Sequence, residues 1–135
     1  MTTPNDPVLP TRVPLRLLMV DDPVPGGLHG RWWPQSRDLG LELADLVDHF
    51  PTGRGGVMRA VFSRPDWDTP LRRVPLERGV MKAGSFPRDD THVMLLVMFN
   101  RTTLKILVVP PGLSPADGQT ALRTGLPEDF ASAVG

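Results

Sequence analysis

Residues 91–109 read Thr91-His-Val-Met-Leu-Leu-Val-Met-Phe99, Asn100-Arg-Thr102, Thr103-Leu-Lys-Ile-Leu-Val-Val109. Two runs rich in β-branched and large apolar residues flank a three-residue polar turn, which predicts a β-hairpin. Along the first run Val93, Leu95, Val97 and Phe99 fall on one face and Met94, Leu96 and Met98 on the other. Apolar side chains on both faces mark strands covered on both sides, at the centre of a sheet. Pro110-Pro-Gly112 stops the second run.

The remaining elements are read outward from this hairpin. Upstream, Leu15–Val20, Gly56–Ser63, Leu71–Leu76 and Val80–Ser85 read as strands. Pro75 sends the third of these to a sheet edge or a bulge, because proline donates no ladder hydrogen bond. Glu77-Arg-Gly79 reads as a hairpin turn with glycine in the left-handed region. Leu39, Leu43, Leu46, Val47 and Phe50 recur at three- and four-residue spacing, the apolar face of a helix with Ser36 as its expected N-cap. Its polar face carries Asp38, Glu42, Asp45 and His49, with Asp48 beside them. Ser114-Pro-Ala-Asp117 predicts a second, C-terminal helix, with proline at the first helical position. The expected fold is α+β: a strongly twisted, mostly antiparallel sheet of about six strands, one amphipathic helix between strands 1 and 2, and a short C-terminal helix. Residues 1–12 read as a flexible arm, 13–124 as one domain and 125–135 as a flexible tail. One helix covers one face. The other must meet the terminal helix, curl on itself or meet a second copy, and a curled sheet is the expectation. Met58, Met94 and Met98 mark the strand region through which a homodimer is considered.

Composition narrows the function classes. The 135 residues carry 15 basic and 15 acidic side chains, so no overall charge favours a polyanion. There is no cysteine, which excludes disulfides and thiol chemistry. The apolar runs are too short to cross a bilayer and no secretory signal is read at the start, so a cytoplasmic location without membrane contact is expected. Thirteen basic residues are arginine, with Lys82 and Lys105 the exceptions, a bias that follows GC-rich codon usage.

The densest cluster of distinctive residues is Gly30-Arg-Trp-Trp-Pro-Gln-Ser-Arg-Asp38. Together with Trp67-Asp68, Arg72-Arg73 and Leu107-Val-Val-Pro-Pro111, this block resembles a family of small actinobacterial proteins of unknown function over residues 13–123. The resemblance implies a cytoplasmic actinobacterial protein and brings no activity with it. From the residues themselves, an exposed Trp32 or Trp33 beside Arg31 and Arg37 suits stacking on a planar ligand. The opposing reading is that both rings anchor the helix to the sheet. Asp66-Trp67-Asp68, between two prolines, is a second aromatic–acid knot, open to acid–base work, to Mg²⁺ or to plain Asx turns. Asp45 and His49 stand one helical turn apart, a metal-ligand spacing with no second His–carboxylate pair to complete it.

Residues Arg54 to Arg88 carry eight basic against three acidic side chains, the pattern of a sheet-based nucleic-acid binder, although strand alternation splits the arginines between faces. Catalysis has little to stand on. Ser36 and Ser63 lack a nucleophile elbow, Gly53-Arg-Gly-Gly56 lacks the lysine and hydroxyl of a phosphate loop, and His92 stands alone as a base. No cofactor or metal set is read. The sequence thus favours a small non-enzymatic binding or protein-interaction module using Trp32, Trp33, Arg31, Arg37, Trp67, Asp66 and Asp68. A nucleic-acid-associated regulator and an enzyme of unknown chemistry are the alternatives.

Overall fold

The computed structural model describes residues 13–20, 27–51, 53, 55–77, 79–86 and 92–125. The expected arm, and the expected tail beyond Gly125, lie outside the described residues. In chain order the elements are β1 (Leu17–Met19), β2 (Gly30–Trp32), α1 (Leu39–Asp48), β3 (Val57–Phe62), β4 (Arg73–Leu76), β5 (Gly79–Ser85), β6 (Val93–Met98), β7 (Thr103–Val108) and α2 (Pro115–Thr124). A 3-10 turn, Arg64–Asp66, follows β3.

The strands form one seven-stranded mixed sheet in the order β1-β2-β7-β6-β3-β5-β4. The β6–β7 hairpin is central, as its two apolar faces require. Its turn is closed by Arg101 at φ 74° and by the Asn100 side chain accepting the Thr102 N–H. The edge position of β4 also follows the proline rule, and Gly79 takes a φ of 138° after the turn. Three expectations are corrected. The sheet is mixed, because β2 runs parallel to β7 and β3 parallel to β5. It has a seventh strand, β2, inside the tryptophan block. Three residues carry no readable alternation, and pairing with β1 and β7 is what makes them a strand. Consequently α1 follows the second strand rather than the first.

The α1 N-cap is Asp38, whose carboxylate accepts the Leu41 N–H at 3.1 Å; Ser36 lies two residues earlier. Leu39, Leu43 and Leu46 seat the helix on one sheet face, against a core containing Trp32, Ala60, Phe62, Val74, Met94, Leu96, Met98 and Ile106. Met94 and Met98 are fully inside, so they form no methionine-lined outer surface; Met58 alone of the three is exposed. It bulges out of β3, where the register with β6 shifts between Val57 and Arg59.

Part of the opposite sheet face is covered by α2. Ser114 caps it by accepting the Asp117 N–H at 3.1 Å, and Trp33, Val109 and Ala121 form a second small core with Leu107, Leu113 and Leu122. The contact is close. A Cβ on Gly118 would lie 2.1 Å from the Trp33 ring. Alanine in a helix interior normally gains about 1 kcal/mol over glycine. Here Gly118→Ala should reverse that sign and cost about 1 kcal/mol or more through overpacking. Urea denaturation checks it, and unchanged or raised stability would show that Trp33 can yield to the methyl group.

Candidate functional site

A β-strand sends successive side chains to opposite faces, so adjacent tryptophans at the end of β2 separate. Trp32 enters the α1-side core and meets Trp67, with ring centroids 5.7 Å apart. Trp33 goes to the other face, between Gly118 of α2 and the Arg16 guanidinium, which lies 3.7 Å from the ring centroid. Exposures of 1%, 5% and 4% put Trp32, Trp33 and Trp67 all inside the protein. Neither ring of the block is at the surface to stack on a planar ligand, and the burial fits the reading in which both anchor a helix to the sheet. The burial of large aromatic area outweighs keeping an indole at the rim. Arg31 is also engaged: its guanidinium donates to the Leu122 and Arg123 carbonyls, closing the C-terminus of α2.

The loop between Trp33 and α1 is fixed by a buried carboxylate. Glu42, which the sequence places on the polar face of the helix, is 1% exposed. It accepts the Gln35 N–H at 3.0 Å and the Ser36 hydroxyl at 2.6 Å. Next along, Arg37 donates to Asp68 at 2.8 Å and to the Pro65 carbonyl, while the Asp68 N–H donates back to the Arg37 carbonyl. The tryptophan block and the Trp67 loop therefore do meet, as a staple and not as an open pocket.

Asp66 and Asp68 diverge and share no cation position. Asp68 faces Arg37, whereas Asp66 turns inward to accept the His92 N–H at 2.7 Å, with the His92 ring Nδ1 3.6 Å away. His92 sits at φ 66°, in the left-handed region. That conformation is held because its carbonyl also accepts the Val108 N–H. Burial pushes the Asp66 carboxyl up to about 6, against the lowering effects of the His92 N–H bond and the Arg37 charge. Burial likewise pushes the His92 imidazole down. At 3.6 Å the ring and the carboxyl are not hydrogen-bonded, and the pair, placed at the start of β6, acts as a clamp on the chain through the His92 N–H. Asp45 and His49 pair with each other at 3.1 Å, and the hydrogen bond to the Asp45 carbonyl raises the His49 imidazole. Among the described residues no group of three metal-ligating side chains comes together.

Charge concentrates elsewhere. Arg59 of β3 is in register with Lys82 of β5, and Lys82 with Arg73 of β4. Register partners share a sheet face, so three cations stand in one row. Arg64 and Arg72 join them around a groove of about 540 Å³ whose floor includes Gly84 and Ser85. Among the described residues no carboxylate lines it, and all five cations are exposed, with no side-chain hydrogen bond or ion pair to a described residue. A second groove of about 660 Å³, at Pro51, Gly53, Gly55, Met98, Asn100, Thr102 and Leu104, has no charged lining among the described residues.

The family of unknown function DUF5994 matches residues 16–125. The chain belongs to this family. No curated protein and no solved structure matches it. In this DUF5994 chain the sequence understated the convergence of the basic residues, since alternation alone sends arginines to both faces. Leu76 pairs with Gly79 and hence Arg73 with Lys82, one position away from the register that a three-residue Glu77–Gly79 turn implies, so that half of the row was not legible. The Arg59–Lys82 half needed the parallel β3–β5 pairing. Arg54, Arg78 and Arg88 lie outside the described residues.

Two predictions follow from the buried carboxylates. Replacing Glu42 by leucine leaves the Gln35 N–H and the Ser36 hydroxyl without their acceptor and should cost about 3 kcal/mol in urea denaturation; a change near zero would mean that the loop is not held by Glu42. For Asp66, the unfolded carboxyl titrates near its ordinary value of about 4, while the folded one titrates at about 6. Between these values the folded chain keeps a proton that the unfolded chain releases, so this group's contribution to stability falls as pH rises through the window. Asp66→Asn keeps an acceptor for His92 and removes the titration. Its melting temperature, relative to wild type, should be higher at pH 8 than at pH 4; equal differences at both would contradict the assignment.

Proposed function

We propose that this DUF5994 protein is a non-enzymatic binding module and that its partner is anionic, held on the cationic groove of β3, β5 and β4. The observation that carries the reading is the cross-strand row Arg59–Lys82–Arg73. Like charges directly opposite one another in a sheet destabilise it by a few tenths of a kcal/mol to about 1 kcal/mol per pair. A row of cations without neutralising neighbours among the described residues runs against local consistency, and such departures concentrate at functional sites. Zero net charge does not weigh against this, because what an anion meets is the local field of the groove.

The first-favoured region, Trp32, Trp33, Arg31, Arg37, Trp67, Asp66 and Asp68, is supported less well as a binding surface. Its rings are buried, and its charged groups bond to one another or to the backbone. A cytoplasmic location and an actinobacterial source belong to the same proposal, the second supported by the arginine bias of the composition.

The test is retention on immobilised heparin as salt rises. The wild-type chain should be retained and elute earlier as salt increases, because binding releases counterions. The double variant Arg73→Glu, Lys82→Glu should elute near the void. Arg101→Glu, a single charge change in the β6–β7 turn, should shift elution slightly. Equal retention of the double variant and wild type would place the anion site elsewhere or nowhere.

A further inference from the structure

The groove has a shape as well as a charge, and together they select a class of ligand. We infer that it is a site for a compact polyphosphate, a chain of two or three linked phosphate groups free or carried by a small metabolite. This rests on the proposed anionic partner and makes it specific.

Size comes first. A cavity of about 540 Å³ lies within the range of small-molecule sites, roughly 300 to 1,000 Å³. Neighbouring strands stand about 4.8 Å apart, so the three cations of the row span about 10 Å. Arg64 and Arg72 approach the same space from the loop between β3 and β4. Five cations around one small volume match a ligand whose negative charges are equally close. A nucleic-acid strand distributes one charge per nucleotide over a longer path.

Chemistry agrees with size. Four of the five cations are arginines, whose planar forks present paired donors to phosphate oxygens. Among the described lining residues the one aromatic, Phe62, is 1% exposed and presents no ring face. Sequence-tolerant binding of single strands depends on such stacking platforms, worth about 1–3 kcal/mol per base. Their absence from the groove separates a phosphate site from a strand-binding sheet. Finally, Gly84 lines the groove, and a Cβ there would meet nothing within 4 Å. That missing side chain leaves the floor open beneath the row.

Gly84 also supplies the discriminating variant. Its backbone is ordinary strand and the space above it is empty, so Gly84→Val fits the strand while filling the groove and leaving every charge in place. The experiment is calorimetric titration of the full chain with inorganic tripolyphosphate at fixed ionic strength, in parallel with a single-stranded oligonucleotide and orthophosphate, with circular dichroism melts to show that each variant folds.

The inference expects one tripolyphosphate per chain, bound more tightly than orthophosphate or the oligonucleotide. Lys82→Glu should weaken it about tenfold or more. Gly84→Val should weaken tripolyphosphate similarly but leave heparin retention unchanged. Absence of tripolyphosphate binding overturns the inference; if heparin retention still depends on Arg73 and Lys82, the broader anionic reading survives. Tighter binding of the oligonucleotide overturns it in favour of nucleic acid. Tripolyphosphate binding indifferent to both Lys82→Glu and Gly84→Val overturns the location.

Discussion

Everything in this fold depends on the constraint that adjacent residues of a strand face opposite ways. Trp32 and Trp33 are such neighbours. Trp32 fixes the α1 face by packing into the main core against Trp67, and Trp33 fixes the other by receiving Gly118 of α2. One dipeptide thereby ties a helix to each side of the sheet. The tie is reinforced on both faces: Glu42 and the Arg37–Asp68 pair hold the loops around Trp32, while Arg16 and Arg31 hold Trp33 and the end of α2.

Because Trp33 sits in β2's end of the sheet, it draws α2 to the β1–β2–β7 side. The far side of that face, where β3, β5 and β4 lie, keeps Arg59, Lys82 and Arg73 exposed. An apolar continuation there would have demanded a partner of its own. Cations keep it solvated, which also blunts the exposed edge at β4. The cationic surface and the covered surface are thus two consequences of one packing decision.

Much of this was legible in the sequence where a local rule decides the outcome. The β6–β7 hairpin, the edge strand at Pro75, the Gly79 turn and the Ser114 cap all rest on residue chemistry within a few positions. Misreadings occurred where the deciding partner is distant. β2 is a strand because β1 and β7 flank it, Glu42 is buried because Gln35 and Ser36 need an acceptor, and Asp66 faces inward because His92 arrives from a chain segment 26 positions on. The tryptophan block packs both cores and closes the end of α2, so its residues serve the architecture. The groove emerges only when the parallel β3–β5 pairing brings Arg59 beside Lys82.

The central claim is that the anionic partner lies on the open half of the second sheet face. Backbone amide chemical-shift mapping during a tripolyphosphate titration tests it most directly. The account predicts that the largest shifts cluster at Arg59–Arg64, Leu71–Arg73 and Lys82–Ser85, with the α1 and α2 amides little changed. Largest shifts around the tryptophan block and α2, or no saturable shifts at all, would contradict it.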